Sequence, residues 1–208
     1  MLKNIALGAV LTLSASFAMA APLSEGTQYT TLARPVAGAP EVVEFFSFYC
    51  PPCAAFSGTY KVGEAIDKRL PDGAKTEKYH VSSMGTMGKS LTEAWSVAKA
   101  LGVESRVEQT LFAAVQQSKT IHSDADIRQV FLHAGVSADE YDAAKNSFAV
   151  KALTEKQERA AEQFGVTGTP SFYVKGKYQV RNNGIGVNTP EGYAPTFAEV
   201  VSALVEKK

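Results

Sequence analysis

The hydrophobic pattern predicts β-strands near both ends of the chain and a long helical stretch between them. Val42 to Phe48 is a run of β-forming residues that is apolar on both faces except at Glu44 and Ser47. Such a run is typical of a strand buried inside a sheet that is covered on both sides. The other predicted strands are Tyr29 to Leu32, Thr76 to Val81, Ser171 to Val174 and Tyr178 to Val180.

Apolar residues at helical spacing predict seven helices. These are Phe56 to Leu70, Leu91 to Leu101, Ser105 to Gln117, Asp124 to Ala134, Ala138 to Ser147, Lys151 to Phe164 and Thr196 to Glu206. Thr196 is the expected N-cap of the last helix, and the Gly-, Asn- and Pro-rich segment from Asn182 to Pro195 is expected to be a loop. We therefore predict an α/β domain at residues 21–83 and 151–208, with an all-helical domain inserted at 84–150.

The first twenty residues have the pattern of a secretory signal peptide. A basic Lys3 precedes a short apolar stretch, which ends in the small-residue pattern Ala18-Met19-Ala20. A membrane anchor is the alternative, but the apolar run is short and is interrupted by polar residues. We expect cleavage near Ala20 and export from the cytosol. No later segment approaches the roughly 20 apolar residues of a membrane span, so the mature protein is not expected to be membrane-embedded.

Composition limits the class of partner. Of the 208 residues, 45% are apolar and 20% are charged, values ordinary for a globular protein. Lysine plus arginine and aspartate plus glutamate both total 21. Because the charges balance, the chain has no strongly basic character, and no binding of nucleic acid is expected.

The candidate chemistry lies in the run Cys50-Pro51-Pro52-Cys53, where the predicted buried strand passes into a helix. The start of a helix has unpaired N–H groups that favour an anion, so Cys50 is expected to form a stabilised thiolate. Its lowered pKa makes Cys50 the predicted nucleophile and leaving sulfur in disulfide exchange, and Cys53 the resolving cysteine. No bound cofactor is then needed, because the disulfide is itself the redox group.

Two other interpretations of the cysteines stay open at this point. The first is a purely structural disulfide, although so short a loop removes little entropy from the unfolded chain, on the order of 2 kcal/mol. The second is a zinc site, which needs about four ligands. The chain has no cysteine beyond these two, and His80, His122 and His133 are scattered.

Several further motifs resemble the DsbA family of bacterial periplasmic thiol:disulfide oxidases, which have a thioredoxin fold. They are Gln28-Tyr29-Thr30-Thr31-Leu32, Pro35-Val36-Ala37-Gly38-Ala39-Pro40, Glu44-Phe45-Phe46-Ser47-Phe48, Lys78-Tyr79-His80-Val81, Ala100-Leu101-Gly102-Val103-Glu104 and Asn146-Ser147-Phe148. The resemblance implies a thioredoxin-like sheet with a helical insertion. It also implies donation of disulfides to reduced exported proteins, and recharging by a quinone-linked membrane oxidase. We expect a monomer.

The resemblance also implies roles for residues outside the cysteine motif. Thr169-Pro170 matches the cis-proline of the family and is expected to shape the substrate groove; a trans proline at a strand start is the alternative. Glu44 and Lys78 match a buried acidic and basic pair that tunes the redox site, with exposure of Glu44 at a sheet edge as the alternative. Met84, Met87, Phe46, Phe48 and Tyr49 are candidates for the groove lining or for the core.

Pro51 and Pro52 form the dipeptide that is expected to tune the redox potential, and Pro52 departs from the family pattern. The best-known members have Cys-Pro-His-Cys, whereas here Pro52 replaces the histidine. Because proline has neither a cationic side chain nor an N–H, we predict a higher Cys50 pKa and a less oxidising couple. An isomerase or reductase, or a non-catalytic peptide-binding or chaperone module, is the alternative function.

Overall fold

In a computed structural model of the protein, residues 23–187 and 189–207 are described. The strands are β1 (Tyr29–Thr31), β2 (Val42–Phe46), β3 (Glu77–His80), β4 (Ser171–Val174) and β5 (Tyr178–Val180). They form one sheet in the order β1-β5-β4-β2-β3, in which only β2 and β3 are parallel. All five predicted strands are present, and three of them are one or two residues shorter than predicted.

Eight α-helices are found in the described part of the chain. They are α1 (Pro51–Ala54), α2 (Val62–Asp67), α3 (Gly88–Leu101), α4 (Glu104–Phe112), α5 (Asp124–His133), α6 (Ala138–Lys145), α7 (Phe148–Gln163) and α8 (Pro190–Glu206). Helices α1 and α4 each continue into a π-helical turn, at Ala55–Thr59 and Ala113–Gln117. Helices α3 to α6 follow one another between β3 and α7, which confirms a helical insertion. Its exact boundaries stay a prediction.

The central strand is covered on both faces. All five residues of β2 are buried, because α2 and α8 cover one face of the sheet and α7 covers the other. On the first face Val42 packs with residues of α2 and α8, and on the second Phe45 packs against Phe164. Phe46, the last residue of β2, and Phe48 just beyond it join the core of the inserted helices. The uniformly apolar pattern of this strand is explained by this double covering.

The helix predicted over Phe56 to Leu70 is wrong as a single element. A π-helical turn ends at Thr59, and Lys61 has a left-handed backbone with φ of 53° before α2 begins. Ser57, Gly58 and Thr59 are weak helix formers, so nothing in the local sequence enforces continuity. The helical spacing of apolar residues continues across the break, because Phe56 before it and Val62 and Ile66 after it pack in the same core cluster.

The last helix also differs from its prediction, since it begins at Pro190 rather than near Thr196. Thr189 is the N-cap, and its hydroxyl accepts a hydrogen bond from the N–H of Gly192 at 3.2 Å. Proline is compatible with the first helical position, where no N–H is needed. Pro195 lies within the helix on its exposed side. Proline has no N–H to donate to the carbonyl one turn earlier, and on this side water can hydrate that carbonyl.

Two predictions concern the membrane. The signal peptide at residues 1–20 lies outside the described residues. None of the helices within 23–187 and 189–207 is long and apolar enough to cross a bilayer.

Candidate active site

Cys50 and Cys53 lie where β2 passes into α1. A turn closed by a hydrogen bond from the Cys50 N–H to the Ser47 carbonyl separates the strand from the helix, and Cys50 is the N-cap. The two cysteines form a disulfide with their Cα atoms 5.2 Å apart. Cys50 is 3% exposed and Cys53 is fully buried, so an incoming thiolate can approach only the Cys50 sulfur.

The first turn of α1 offers the Cys50 sulfur one backbone donor. The Cys53 N–H points to Cys50 Sγ at 3.1 Å. Pro51 and Pro52 occupy the two preceding helical positions, and neither has an N–H. An anionic sulfur at this helix end is therefore stabilised by the Cys53 N–H and by the helix dipole, but not by the usual set of free donors.

The loop before β4 lies against the same sulfur. The Thr169-Pro170 peptide bond is cis, and the Thr169 carbonyl oxygen lies 3.3 Å from Cys50 Sγ. The Asn182 amide donates to the Pro170 carbonyl at 2.8 Å, and the Tyr193 hydroxyl donates to the Asn182 carbonyl, also at 2.8 Å. The tertiary fold thus brings Thr169 and Pro170 to Cys50 across 119 residues of sequence.

Sheet register places the acidic and basic candidates together below the helix. Glu44 of β2 is opposite Lys78 of β3, and their Oε2 and Nζ atoms are 3.4 Å apart. Glu44 is 2% exposed, so it is a buried carboxyl and not a sheet-edge group. The Lys78 ammonium also contacts the carboxylate of Glu108, a residue of α4.

Burial and charge act against each other in this cluster. Burial raises the pKa of Glu44, the Lys78 ammonium opposes that rise, and the nearby Glu108 and Asp67 carboxylates add to it, with a raised pKa as the result. Burial acts to lower the pKa of Lys78, but the Glu44 and Glu108 carboxylates outweigh it and leave that pKa raised. Glu44 therefore keeps its proton to a higher pH than a free glutamate does, and Lys78 keeps its charge to a higher pH than a free lysine does.

The sequence matches one family profile and many known proteins. The profile described as a DSBA-like thioredoxin domain matches residues 41–194, well over half of the chain. The chain belongs to the DSBA-like thioredoxin family. A protein named Thiol:disulfide interchange protein DsbA from Yersinia pestis is 44% identical over 207 residues, covering 100% of both chains. One of the same name from Salmonella typhimurium is 49% identical over 201 residues, covering 97% of this chain and 96% of its own.

Solved structures of DsbA proteins have the same fold. The disulfide oxidoreductase DsbA from Proteus mirabilis is 48% identical with a TM-score of 0.87, covering 89% of this chain and 98% of its own. A variant of the Proteus protein was solved with a non-covalently bound peptide PWATCDS, at the same identity and TM-score and covering 90% and 100% of the two chains. These matches confirm the thioredoxin-like fold with a helical insertion, and they make this DsbA-like protein a thiol:disulfide oxidoreductase.

Two polar side chains of the DsbA-like site, the partly buried Gln116 and the buried His80, were not recognised as site residues in the sequence analysis. The Gln116 amide, from the inserted helices, donates to the Phe48 carbonyl at 2.8 Å and the Cys50 carbonyl at 3.1 Å. His80 accepts the Phe48 N–H at Nε2, 3.1 Å away, so its ring proton is on Nδ1, 2.8 Å from the Thr92 hydroxyl oxygen. Both side chains bind the backbone of the segment that leads to Cys50. His80 lies in the family-like motif Lys78-Tyr79-His80-Val81, whereas no sequence motif indicated Gln116.

Burial lowers the pKa of His80 to about 3. The imidazole is therefore neutral at physiological pH and acts as a hydrogen-bonding group. Within residues 23–187 and 189–207, no group of three or more histidine, cysteine or acidic side chains is placed to hold a metal ion.

The aromatic candidates divide between core and surface. Phe46 and Phe48 are fully buried in the core, so their candidacy as groove-lining residues is wrong. Tyr49, Met84 and Met87 are partly buried against that core. Met84 contacts the cis-proline loop, since its sulfur is 3.4 Å from the Thr169 hydroxyl oxygen.

Proposed function

We propose that this DsbA-like protein is a disulfide oxidase of exported proteins, and that its Cys50–Cys53 disulfide is the oxidant. The observation that carries the proposal is the position of Cys50 Sγ. It lies at a helix start, accepts the Cys53 N–H and faces the Thr169 carbonyl. This arrangement gives the sulfur a stabilised anionic state and an adjacent backbone for an extended substrate.

The exchange takes place in two steps. A substrate thiolate attacks Cys50 Sγ, forms a mixed disulfide and expels Cys53 as a thiolate. A second substrate thiolate then attacks the substrate sulfur of the mixed disulfide and releases Cys50 as a thiolate. Two electrons pass to the enzyme, which leaves as a dithiol, while the substrate gains a disulfide. The Cys53 N–H makes Cys50 a better leaving group in the second step.

Thr169 and Pro170 are proposed to bind the substrate backbone. An extended peptide lying along the loop before β4 would place its own cysteine at Cys50 Sγ and pair with the Thr169 backbone, as in strand addition. The Proteus mirabilis relative that binds a cysteine-containing peptide supports this interpretation.

Pro51, Pro52, Glu44 and Lys78 are proposed to tune the redox chemistry. The Cys-Pro-Pro-Cys sequence leaves the first two helical positions without donors, so we infer a couple less oxidising than that of a histidine-containing site. Glu44 is a buried carboxyl whose pKa is raised by burial, which suits it to transfer a proton to the Cys53 thiolate when that leaves. Lys78 holds it in place.

The cellular setting is proposed from the same family membership. We infer that residues 1–20 are a cleavable signal peptide and that the mature protein is a periplasmic monomer without a bound cofactor. A quinone-linked membrane oxidase would accept the two electrons from the Cys50–Cys53 dithiol and restore its disulfide.

Oxidative refolding of reduced ribonuclease and reduction of insulin test the proposal. The oxidised enzyme should restore ribonuclease activity, and Cys50→Ala should lose this effect. Cys53→Ala should accumulate a mixed disulfide at Cys50. Unchanged activity in Cys50→Ala would remove the exchange mechanism and leave the peptide-binding or chaperone alternative. Reactivation of scrambled ribonuclease in preference to reduced ribonuclease would favour the isomerase alternative.

A further inference from the structure

The helical insertion supplies a charged residue to the cluster beneath the active-site helix. Glu108 of α4 is 15% exposed at its side chain, and its carboxylate contacts the Lys78 ammonium of the sheet. The same Oε1 atom accepts the hydroxyl of Ser57 at 2.8 Å. Ser57 lies four residues after Cys53, in the π-helical turn that continues α1. One carboxylate therefore joins the helical insertion, the sheet and the active-site helix.

The neighbouring residue of α4 fixes the same contact. The Gln109 amide donates to Ser57 Oγ at 2.7 Å. Gly58 allows this close approach, because a Cβ atom there would lie 2.8 Å from Gln109 Oε1. Ser57 thus donates to Glu108 and accepts from Gln109, which fixes the direction of its hydroxyl. The position of the Glu108 carboxylate is determined by packing between elements that are distant in sequence.

Lys78 is the cation that two carboxylates share. Its Nζ is 3.4 Å from Glu44 and makes its shorter contact with Glu108. Asp67 of α2 also faces Glu44, but its carboxylate lies 3.6 Å from the exposed Lys75 ammonium. The cavity beside these groups has a volume of about 160 Å³ and is also lined by Lys61 and Glu64, a pair that is 3.8 Å apart and 61% exposed at each side chain. Glu44 therefore shares the Lys78 ammonium with Glu108, and the carboxylates of Glu108 and Asp67 both lie near it.

We propose that Glu108 is a positioning residue for the exchange reaction: it holds the Lys78 ammonium on its own carboxylate and leaves the buried Glu44 able to bind and release a proton. The inference rests on the proposed proton-transfer role of Glu44. Without the Glu108 charge, Lys78 is free to pair with Glu44 alone, and Glu44 stays ionised. A lysine shared by two acids thus sets the protonation of the acid that lies deeper.

Carbon-13 NMR titration of glutamate carboxyl groups tests this directly, with the Glu44 signal assigned from Glu44→Gln. In Glu108→Gln the amide oxygen can still accept from Ser57 and Lys78, so geometry is kept while the charge is lost. The Glu44 titration midpoint should move to lower pH. The matched control is Glu64→Gln, which removes an exposed carboxylate from the same cavity and should move the midpoint less.

Kinetics give the second measurement. The rate at which Cys53 resolves a mixed disulfide should depend on pH, with an inflection where Glu44 titrates. In Glu108→Gln this inflection should disappear or shift to lower pH. Glu108→Asp keeps the charge and should retain more of the wild-type midpoint. An unmoved Glu44 midpoint in Glu108→Gln, or an equal shift in Glu64→Gln, overturns the inference while exchange activity stands. Loss of exchange by the wild-type protein would instead refute the proposed function.

Discussion

At the scale of single residues, the reactivity of Cys50 depends on which donors its sulfur meets. The first two positions of α1 are prolines, and the third supplies the Cys53 N–H at 3.1 Å. A hydrogen bond to a charged group contributes about 1.5–3 kcal/mol, so one missing donor changes a redox equilibrium measurably. Pro52 is the position where the donor and the charge can be restored separately.

We predict that Pro52→Ala makes the enzyme more oxidising, because alanine restores an N–H at the second helical position. The equilibrium with glutathione should shift toward the reduced enzyme by about tenfold. Pro52→His adds a cationic side chain and should shift it further. Thiolate absorbance titration should show Cys50 ionising at lower pH in the same order. A Pro52→His enzyme that is less oxidising than wild type would contradict the argument.

His80 should make stability depend on pH. Its pKa is about 3 in the fold, lowered by burial from an ordinary 6.5. The unfolded chain therefore binds the proton first, and stability falls as pH drops from 6.5 toward 3, by about 1.4 kcal/mol per pH unit where the difference is one proton. Urea unfolding at several pH values should show a shallower dependence in His80→Gln, with lower stability at pH 7.

The control for this measurement is His133→Gln, which replaces an exposed histidine at the end of α5. It should leave the stability at pH 7 nearly unchanged, within about 0.5 kcal/mol. Curves for wild type and His80→Gln that run parallel between pH 7 and 4 would show that His80 does not cause the dependence.

At the scale of elements, short helices depend on their caps and their packing. Helix α6 has eight residues, too few to be stable alone in water. Ser137 accepts the Glu140 N–H at 3.2 Å, and Glu140 accepts the Ser137 N–H at 2.9 Å, so the two form a capping box. Tyr141 is the residue of this helix that is buried, and its ring packs against that of Phe131 at an interplanar angle of 56°.

We predict that Ser137→Ala lowers the free energy of unfolding by about 1 kcal/mol, because the Glu140 N–H loses the Ser137 hydroxyl as its partner. Chemical denaturation measures this. Ser105→Ala is the matched control, an exposed serine in α4 outside a cap position, and should change stability by no more than about 0.5 kcal/mol. Equal effects of the two substitutions would argue against the cap.

The elements also show which parts of the fold follow from local sequence. All five strands were predictable, because runs of β-forming residues bounded by turn residues can be recognised in the local sequence. The break at Lys61 and the start of α8 at Pro190 were not. Thr189 and Pro190 are local start signals, but they lie in a Gly-, Asn- and Pro-rich segment whose composition indicates a loop. The left-handed Lys61 lies within a run of apolar residues at helical spacing, and both helices pack on the same face of the sheet.

At the scale of the whole molecule, the inserted helices and the sheet share one core. Phe46 and Phe48 follow the path of β2 into a cluster whose other members include Trp95, Leu111 and Phe112 of the helical insertion. Cys50 and Cys53 belong to the same cluster. Separating the helical insertion from the sheet would expose the apolar side chains of this cluster. The insertion and the sheet should therefore unfold together.

Phe112→Ala should therefore destabilise the sheet and the helices equally, by about 3–5 kcal/mol. Hydrogen exchange at rising denaturant should show β4 and α5 losing protection at the same lowered concentration. Phe148→Ala is the matched control, because that side chain is 85% exposed, and should change stability little. Loss of protection confined to α5 in Phe112→Ala would indicate two independently unfolding units.

The sequence by itself determined the class of fold, the cysteine pair and its place between a strand and a helix, since periodicity and residue chemistry are local properties. Tertiary structure alone decided which groups surround Cys50: the carbonyl of Thr169, the amide of Gln116 and the imidazole of His80 come from distant segments. Glu108 is the clearest case. Its helical pattern indicates only an ordinary polar residue of α4, and its meeting with Lys78 and Ser57 follows from the docking of the inserted helices against the sheet.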